Sequence, residues 1–541
     1  MSTSKERVIL RFRLPSDKDF IRKRSLAEVG ELICQESTAH GIGHTWNNRK
    51  NPLGVFWFLA TTSLFILLLV VASRLMRDFI QRDIQSQTTV KMIKGGELQL
   101  PSVVLCNRHL FSRWKLQALN ITPEVTNYLI AITGSAFLLR QDFLFTAAGR
   151  QFLTDSHSQL LSIMSTHNLT HSQLIDAISY RCEELVLRCG VGTIKMDTEE
   201  CCMGFVVTPT MAGKCYTYFA AANHTQAMEG EYLGVSLYIN VTQDDHPEIN
   251  PEILDVSQMV KTGLQMTLVS NHTHPAFVAV GQGVPLLPGV YTAVDVSLTV
   301  VRDVGIKTVF DWSETECIPL EKVNYRLDTE NFLNTEPNCD VGASRLCFKH
   351  ICNCSTYGLD NSVDSWNPCS LNINFQCFSI MLNAMNVTPP HNAYSTSIQE
   401  DSQLNFTLAD QCWNEAKNGC RRPCSRYDYM YTSTHLPIQT YLYQDLRNQF
   451  SLQNGSDVAV AVAFFPNLRY TEIKRWRKDI EAFMSELGGY TGVFLGCSFI
   501  TFIETFVFFG LILAVFVRKI NIKFCNSVRL SPSKSSSHEM K

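Results

Sequence analysis

Two stretches near opposite ends of the chain constrain everything between them. Residues 51–73 carry no charged side chain and are rich in Leu, Val and Phe; residues 487–517 carry only one, Glu504. A helix that crosses a hydrocarbon core needs about 20 apolar residues, so each stretch is long enough to span. The first is a poor signal peptide, because about 50 largely polar residues precede it and it exceeds the length of an h-region. Two such segments flanking one polar chain argue against a buried core helix. The chain therefore reads as a two-span membrane protein. A net charge of -3 removes the basic balance on which a general nucleic-acid binder depends.

Three patterns orient the spans. Arg49 and Lys50 precede the first, and Arg518, Lys519 and Lys523 follow the second, as cytoplasmic flanks do. The inner flanks are basic as well (Arg74, Arg77, Lys474, Arg475, Arg477, Lys478), so charge alone does not decide. Nine Asn-x-Ser/Thr sequons, at Asn120, Asn168, Asn223, Asn240, Asn271, Asn353, Asn386, Asn405 and Asn454, all lie between the spans, where glycosylation requires a lumenal loop. Of 19 cysteines, 16 lie there too: Cys106, Cys182, Cys189, Cys201, Cys202, Cys215, Cys317, Cys339, Cys347, Cys352, Cys354, Cys369, Cys377, Cys412, Cys420 and Cys424. An even set in a sequon-rich region reads as a disulfide framework rather than a metal knuckle. Cys34 and Cys525 are then cytosolic thiols, and Cys497 sits in the second span.

The expected organisation is a cytoplasmic arm at 1–50, a first span at 51–73, an extracellular domain at 74–486, a second span at 487–517 and a cytoplasmic tail at 518–541. Both termini are placed inside the plasma membrane. Leu100–Asn107, Tyr232–Thr242, Gly289–Val301 and Asp457–Phe465 read as strands. Residues 122–190 show helical spacing, and residues 317–424 read as a cysteine-stapled, helix-containing subdomain. Tyr470–Glu486 reads as an amphipathic lead into the second span.

The second span holds more than an anchor requires: Gly488, Gly489, Gly492, Gly496, Ser498, Thr501 and Glu504. An ionisable group in mid-membrane costs about 2.5–3.5 kcal/mol on insertion scales and usually faces water or a partner. Neither span offers a basic partner. Backbone carbonyls can replace an ion's hydration only where a helix is broken and lines a cavity. Gly496 permits such a break, Ser498 adds a hydroxyl, and Glu504 would concentrate cations about two turns further in. Repeated around an axis, these oxygens suit a hard cation such as sodium, so an oligomer is implied. Small-residue helix packing accounts for the glycines but not for the carboxylate.

These residues resemble the degenerin/epithelial sodium channel family, which includes the acid-sensing channels. The resemblance rests on Ser37-Thr38-Ala39-His40-Gly41-Ile42-Gly43-His44 before the first span and on Pro101-Ser102-Val103-Val104-Leu105-Cys106-Asn107 after it. It continues in Cys352-Asn353-Cys354, in Cys420-Arg421-Arg422-Pro423-Cys424, and in the run from Gly488 to Ser498. The resemblance implies an α+β membrane protein, with two transmembrane helices flanking a disulfide-rich domain of palm, β-ball, finger, thumb and knuckle. It also implies a homotrimer, sodium selectivity and block by amiloride. Gly496, Cys497 and Ser498 would form the selectivity filter. Ser485, at the degenerin position, would belong to the pore and gate with Gly489, Gly492 and Glu504. His40 and Gly41 would form a re-entrant loop, and Trp312 would be the aromatic at the thumb base.

The stimulus is less marked. The linker from Arg74 to Pro101 has no histidine, whereas proton-gated members carry a pair there. No Arg-x-Lys/Arg-Arg run lies between Asn107 and Phe310, whereas epithelial members are cleaved at such sites. The chain most resembles the invertebrate group opened by FMRFamide-like peptides. An amidated peptide with aromatic and Arg side chains needs an apolar pocket with carboxylates. Residues 122–260 supply both types in Tyr128, Phe137, Phe143 and Phe145, and in Glu183, Glu184, Glu199 and Glu200; no contact residue is assigned. Protons, force or constitutive opening are the alternatives within the family. A two-span ectoenzyme and an ATP-gated channel stand outside it: no nucleophile elbow or His-Glu-x-x-His is present, and an ATP-gated pore lacks the Gly-x-Ser step. No enzyme activity and no cofactor are expected beyond the permeant sodium ion.

Overall fold

The computed structural model describes residues 30–31, 34, 37–81, 84–93, 98–133, 140, 143, 146–210, 213–220, 224–255, 263–276, 283–303, 317–318, 338–355, 357–359, 369, 406–417, 422–452 and 455–528. The chain divides into two compact units: Met1–Gln85 with Ile306–Asp311 and Arg477–Lys541, and Ser86–Gly305 with Trp312–Trp476.

The first unit is helical. A short helix, Ile42–Asn47, precedes a 30-residue helix, Pro52–Gln81. Two further helices, Ile480–Leu495 and Phe499–Val528, make up the second span and its flanks. Pro52–Gln81 and Phe499–Val517 are long and apolar enough to cross a membrane. The first helix runs past the predicted end of the span at Ser73. Arg74, Arg77 and Asp78 are polar but do not break a helix, so the hydrophobic run ends before the helix does. The second begins earlier than residue 487. Asp479 caps it, its carboxylate accepting the Ala482 N–H at 2.7 Å, as N-cap residues do. Phe483 packs on Phe79 of the first span with ring centroids 4.8 Å apart.

The second unit is built on two sheets. Its strands in chain order are β1 (Ile84–Met92), β2 (Ser102–Asn107), β3 (Val186–Val191), β4 (Ile194–Met196), β5 (Phe205–Thr210), β6 (Gly213–Tyr218) and β7 (Val235–Thr242). They continue with β8 (Leu264–Val269), β9 (Val284–Leu286), β10 (Val290–Asp303), β11 (Ser425–Pro437), β12 (Ser456–Phe464) and β13 (Arg469–Arg477). The 14-residue β10 organises the eight-stranded sheet. One edge pairs antiparallel with β11 along its whole length, from Val290↔Pro437 to Arg302↔Ser425. The other edge pairs parallel with β12 in its first half and with β13 in its second. From β12 the sheet continues through β7 to β3 and β4, and from β13 to β1. The Val/Ala run of β12 is buried on both faces, as strands paired on both sides require. The five-stranded sheet runs β9-β8-β2-β6-β5, and all six residues of β2 are buried. The four predicted strands are present, with ends shifted by one to three residues.

Tyr470–Glu486 is corrected by the structure. Its first part is strand β13, whose residues alternate between the two faces of the sheet, and the helix starts only after Asp479.

Residues 123–178 form helices at Pro123–Thr133, Ala147–His167 and His171–Ile178. The Ala147–His167 helix buries Gly149, Ser156, Leu160 and Met164, one stripe at helical spacing. These helices share a core with Asn338–Cys352 and Phe406–Lys417, centred on Phe111, Tyr128, Leu160, Phe348 and Trp413.

Disulfides staple both layers. Cys106–Cys215 joins β2 to β6, while Cys182–Cys202 and Cys189–Cys201 close one short segment. Cys317–Cys424, Cys347–Cys412 and Cys354–Cys369 tie the cysteine-dense region. Cys339 and Cys352 are disulfide-bonded too; Cys377 and Cys420 lie outside the described residues. Cys34 and Cys497 are free thiols.

The sequons separate by environment. Asn120, Asn168 and Asn353 are exposed at turns with φ near +50°, which asparagine tolerates better than most residues. Asn240 is only 9% exposed within β7, and its amide donates to the Glu184 carbonyl at 3.0 Å. A glycan there would break the sheet, so Asn240 is removed from the predicted set. The Asn271 amide donates to the Ala220 carbonyl and its oxygen accepts from Ser102. Asn223, Asn386, Asn405 and Asn454 lie outside the described residues, as does Trp312.

Candidate ion pore

The second span is interrupted at three residues. The helix from Ile480 ends at Leu495, and Gly496 takes a left-handed conformation (φ 62°, ψ 22°) as its C-cap. Gly496 N–H still donates to Gly492 O at 2.9 Å and Cys497 N–H to Thr491 O at 3.3 Å. The helix restarts at Phe499. Ser498 precedes it, and its N–H donates to Thr501 Oγ1 at 3.1 Å. Gly496 N–H keeps its helical bond and Ser498 O accepts the Phe502 N–H at 3.3 Å, so the helical ladder is broken between them, at the N–H groups of Cys497 and Ser498, the condition under which carbonyl oxygens can face an ion.

Ser485, Gly489, Gly492 and Gly496 follow at helical spacing and share one face. Ser485 and Gly489 are exposed in the single chain, and a Cβ added at Gly489 would meet nothing. Ser498 is exposed as well.

The N-terminal loop grips this break. His40 N–H donates to Leu495 O at 3.0 Å. The His40 ring lies where a side chain on Gly496 would be: a Cβ there would stand 2.0 Å from His40 Nδ1. Gly41, at φ 92°, lies against the first span, where a Cβ would stand 2.3 Å from Thr61 Oγ1. The two glycines admit the loop on both sides, which is the physical need for glycine at each. His44 then stacks on Trp57 with centroids 4.9 Å apart, holding Ile42–Asn47 against the first span.

Glu504 has a partner that the sequence did not show. Its Oε2 accepts from the Thr38 N–H at 3.2 Å and from the Thr38 hydroxyl at 2.8 Å. Thr38 Oγ1 also lies 2.8 Å from Thr501 Oγ1. A polar chain therefore runs Ser498–Thr501–Thr38–Glu504. The carboxylate thus also docks the N-terminal loop. A cavity of about 660 Å³ lies beside this network, lined by Trp46, Phe58, Phe65, Phe508 and Ile512 together with Glu504 and both free thiols.

In the second unit the strands that lead into the spans are neighbours. β1 follows the first span, β13 precedes the second, and the two pair at the sheet edge. Glu472 on β13 has a side chain only 1% exposed, with Lys91 of β1 at 2.7 Å and Arg302 of β10 at 3.0 Å. The Lys91 hydrogen bond, against the opposing effect of burial, holds its carboxyl below the ordinary value of 4.5.

Of the residues weighed for a peptide pocket, Tyr128, Phe143 and Glu184 are engaged within the fold, while Glu183, Glu199 and Glu200 are exposed. Tyr128 is core, its hydroxyl bonded to His157 Nδ1 at 2.9 Å. Phe143 packs on Phe152, and Glu184 is paired with Lys115 at 2.6 Å. Glu183, Glu199 and Glu200 begin two short helices. Phe137 and Phe145 lie outside the described residues.

Residues 33–508 match the family model described as amiloride-sensitive sodium channel. The sodium channel protein Nach of Drosophila ananassae is 21% identical over 503 residues, covering 90% of this chain and 88% of that protein. Nach of Drosophila melanogaster is 19% identical, covering 89% and 86%. Acid-sensing ion channel 1 of Gallus gallus is 21% identical, covering 88% and 82%. These relatives are ion channels rather than enzymes. The interrupted, loop-gripped second span and a match across most of the sequence lead to one conclusion: the chain belongs to the amiloride-sensitive sodium channel family.

Proposed function

We propose that this chain forms a homotrimeric, amiloride-sensitive, sodium-selective channel of the plasma membrane, with cytoplasmic termini and a glycosylated outer domain. In this reading it is opened by an extracellular FMRFamide-like peptide. The observation that carries the pore reading is the break at Gly496–Ser498, a ring of oxygens once repeated around an axis. The small-residue face that begins with Ser485 and Gly489, both exposed in one chain, is what a central axis needs.

Gating follows from the pairing of β1 with β13. A ligand that favours one arrangement of the outer domain shifts the population toward it. Any displacement of that sheet edge moves both strands that continue into the spans, and so opens the break. The Lys91–Glu472–Arg302 cluster makes the edge move as one piece.

A second stimulus has specific support, because acid-sensing channels are among the relatives. Against it stands the absence of histidine from Arg74 to Pro101. Whole-cell recording under sodium separates the two. Inward current on application of FMRFamide-type peptides, blocked by amiloride, supports the peptide reading. Current on acid steps alone replaces it with the proton reading. Cross-linking of the purified channel tests the trimer, and a ladder ending at two copies would exclude it.

A further inference from the structure

Away from the pore, the chain segments that leave the two sheets meet at a pair of imidazoles. β2 of the five-stranded sheet ends at Asn107, and β7 of the eight-stranded sheet ends at Thr242. His109 and His246 follow these ends, with ring centroids 5.4 Å apart. His109 is 9% exposed. Its Nε2 is buried without a hydrogen-bond partner, and so is Nδ2 of Asn107. The turn itself is fixed, because His109 N–H donates to Asn107 Oδ1 at 3.0 Å. The opposite loop is fixed as well. Asp245 Oδ1 accepts the Trp114 N–H at 3.0 Å, and its carbonyl accepts from the Tyr180 hydroxyl. Burial, and then the neighbouring His246, push the His109 imidazole down to about 4.

We propose that His109 and His246 form a site for a divalent transition-metal ion of the zinc type, which clips the two sheets together. Imidazole nitrogen binds zinc at about 2.0–2.1 Å, so each ring centre stands roughly 3.2 Å from the ion. Two such rings at a tetrahedral angle are then about 5.2 Å apart. The observed 5.4 Å matches that spacing of the rings, and entry of the ion requires only that the exposed His246 turn a nitrogen toward the buried Nε2 of His109. Imidazole ligands select zinc, copper or nickel over calcium and magnesium, which take oxygen ligands. Among the described residues no group of three or more His, Cys, Asp or Glu is arranged to hold a metal ion. The site therefore has two protein ligands, and water completes the coordination. The Asp245 carboxylate adds negative charge beside it. The other close histidine in the helical layer, His157, already has Nδ1 bonded to Tyr128, and so lacks the orphaned nitrogen that marks His109.

The test uses the purified full-length channel with zinc chloride, read by competition with a fluorescent zinc chelator and by thermal unfolding. Wild type binds zinc and unfolds at a higher temperature as zinc is added, while magnesium has no effect. The exposed His246→Ala leaves zinc-free unfolding unchanged and weakens zinc binding at least about tenfold. His109→Gln does the same to binding. If that buried variant fails to fold, copper electron paramagnetic resonance of His246→Ala against wild type reports the loss of one nitrogen ligand. An unchanged copper spectrum, zinc binding by His246→Ala as tight as wild type, or no zinc-dependent shift in wild type, overturns the site and leaves water as the partner of the orphaned nitrogen.

Discussion

Gly496→Ala is the perturbation for which the structure gives the sharpest magnitude. At φ 62° any side chain costs about 1–2 kcal/mol relative to glycine. The new Cβ would also lie 2.0 Å from His40 Nδ1, 2.6 Å from Cγ and 2.8 Å from Cε1, far inside the roughly 3.5 Å of a carbon contact. The imidazole must leave, and the neighbouring His40 N–H to Leu495 O bond, worth about 1 kcal/mol net, is strained with it. The docked loop is therefore disfavoured by about 2–3 kcal/mol in total, which is on the order of 30- to 150-fold. In a His40→Ala background the steric part is gone and only the backbone part remains. Sodium current at matched surface expression gives the assay. The fractional loss caused by Gly496→Ala should be at least about fivefold greater with His40 present than without it, a coupling of about 1 kcal/mol. Equal losses in the two backgrounds would refute the claim that His40 occupies the space that glycine leaves.

Thr38→Val removes the hydroxyl that joins Thr501 to Glu504 but keeps the Thr38 N–H bond, so the closed–open equilibrium should move by about 1 kcal/mol. Thr38→Ser should restore it, and a valine variant with wild-type dose response would count against the network. Cys347→Ser with Cys412→Ser opens a loop with a sequence separation of 65, which chain-entropy arguments value at about 4 kcal/mol. Protease resistance and surface expression should both fall, and wild-type resistance would contradict the staple. Glu472→Gln should lower the unfolding temperature at pH 7. Because the folded carboxyl titrates below 4.5, its stabilisation is present above that value and is lost as pH falls through the folded one. The gap between variant and wild type should close in acid, and a gap independent of pH would show that the ion cluster is not its cause.

The strands and spans were legible because each is a local pattern. Val and Ala alternate in Asp457–Phe465, and a charge-free run marks residues 51–73. Where one signal overlaid another, reading by pattern failed. The strand Arg469–Arg477 and the helix after Asp479 merge into a single amphipathic stretch unless Asp479 is weighed as a cap. The end of the first helix could not be read from hydropathy, which stops at Ser73 while helical hydrogen bonding continues to Gln81. In the pore, Gly496 and Ser498 could be singled out from residue type alone. The partner of Glu504 could not, since Thr38 lies 466 residues away and a lone threonine carries no signal. Separation in sequence likewise hides His109 from His246. Tyr128 and Glu184 could be named only as residue types suited to a peptide pocket, because composition does not distinguish a core tyrosine or a paired carboxylate from a free one.

Ion preference at the break can be read directly from the reversal potential when external sodium is replaced by potassium. Wild type should shift by about 59 mV for each tenfold preference for sodium. Ser498→Ala should shrink that shift, and Ser498→Asp should admit calcium. If both variants keep the wild-type shift and exclude calcium, the interrupted second span does not select the ion.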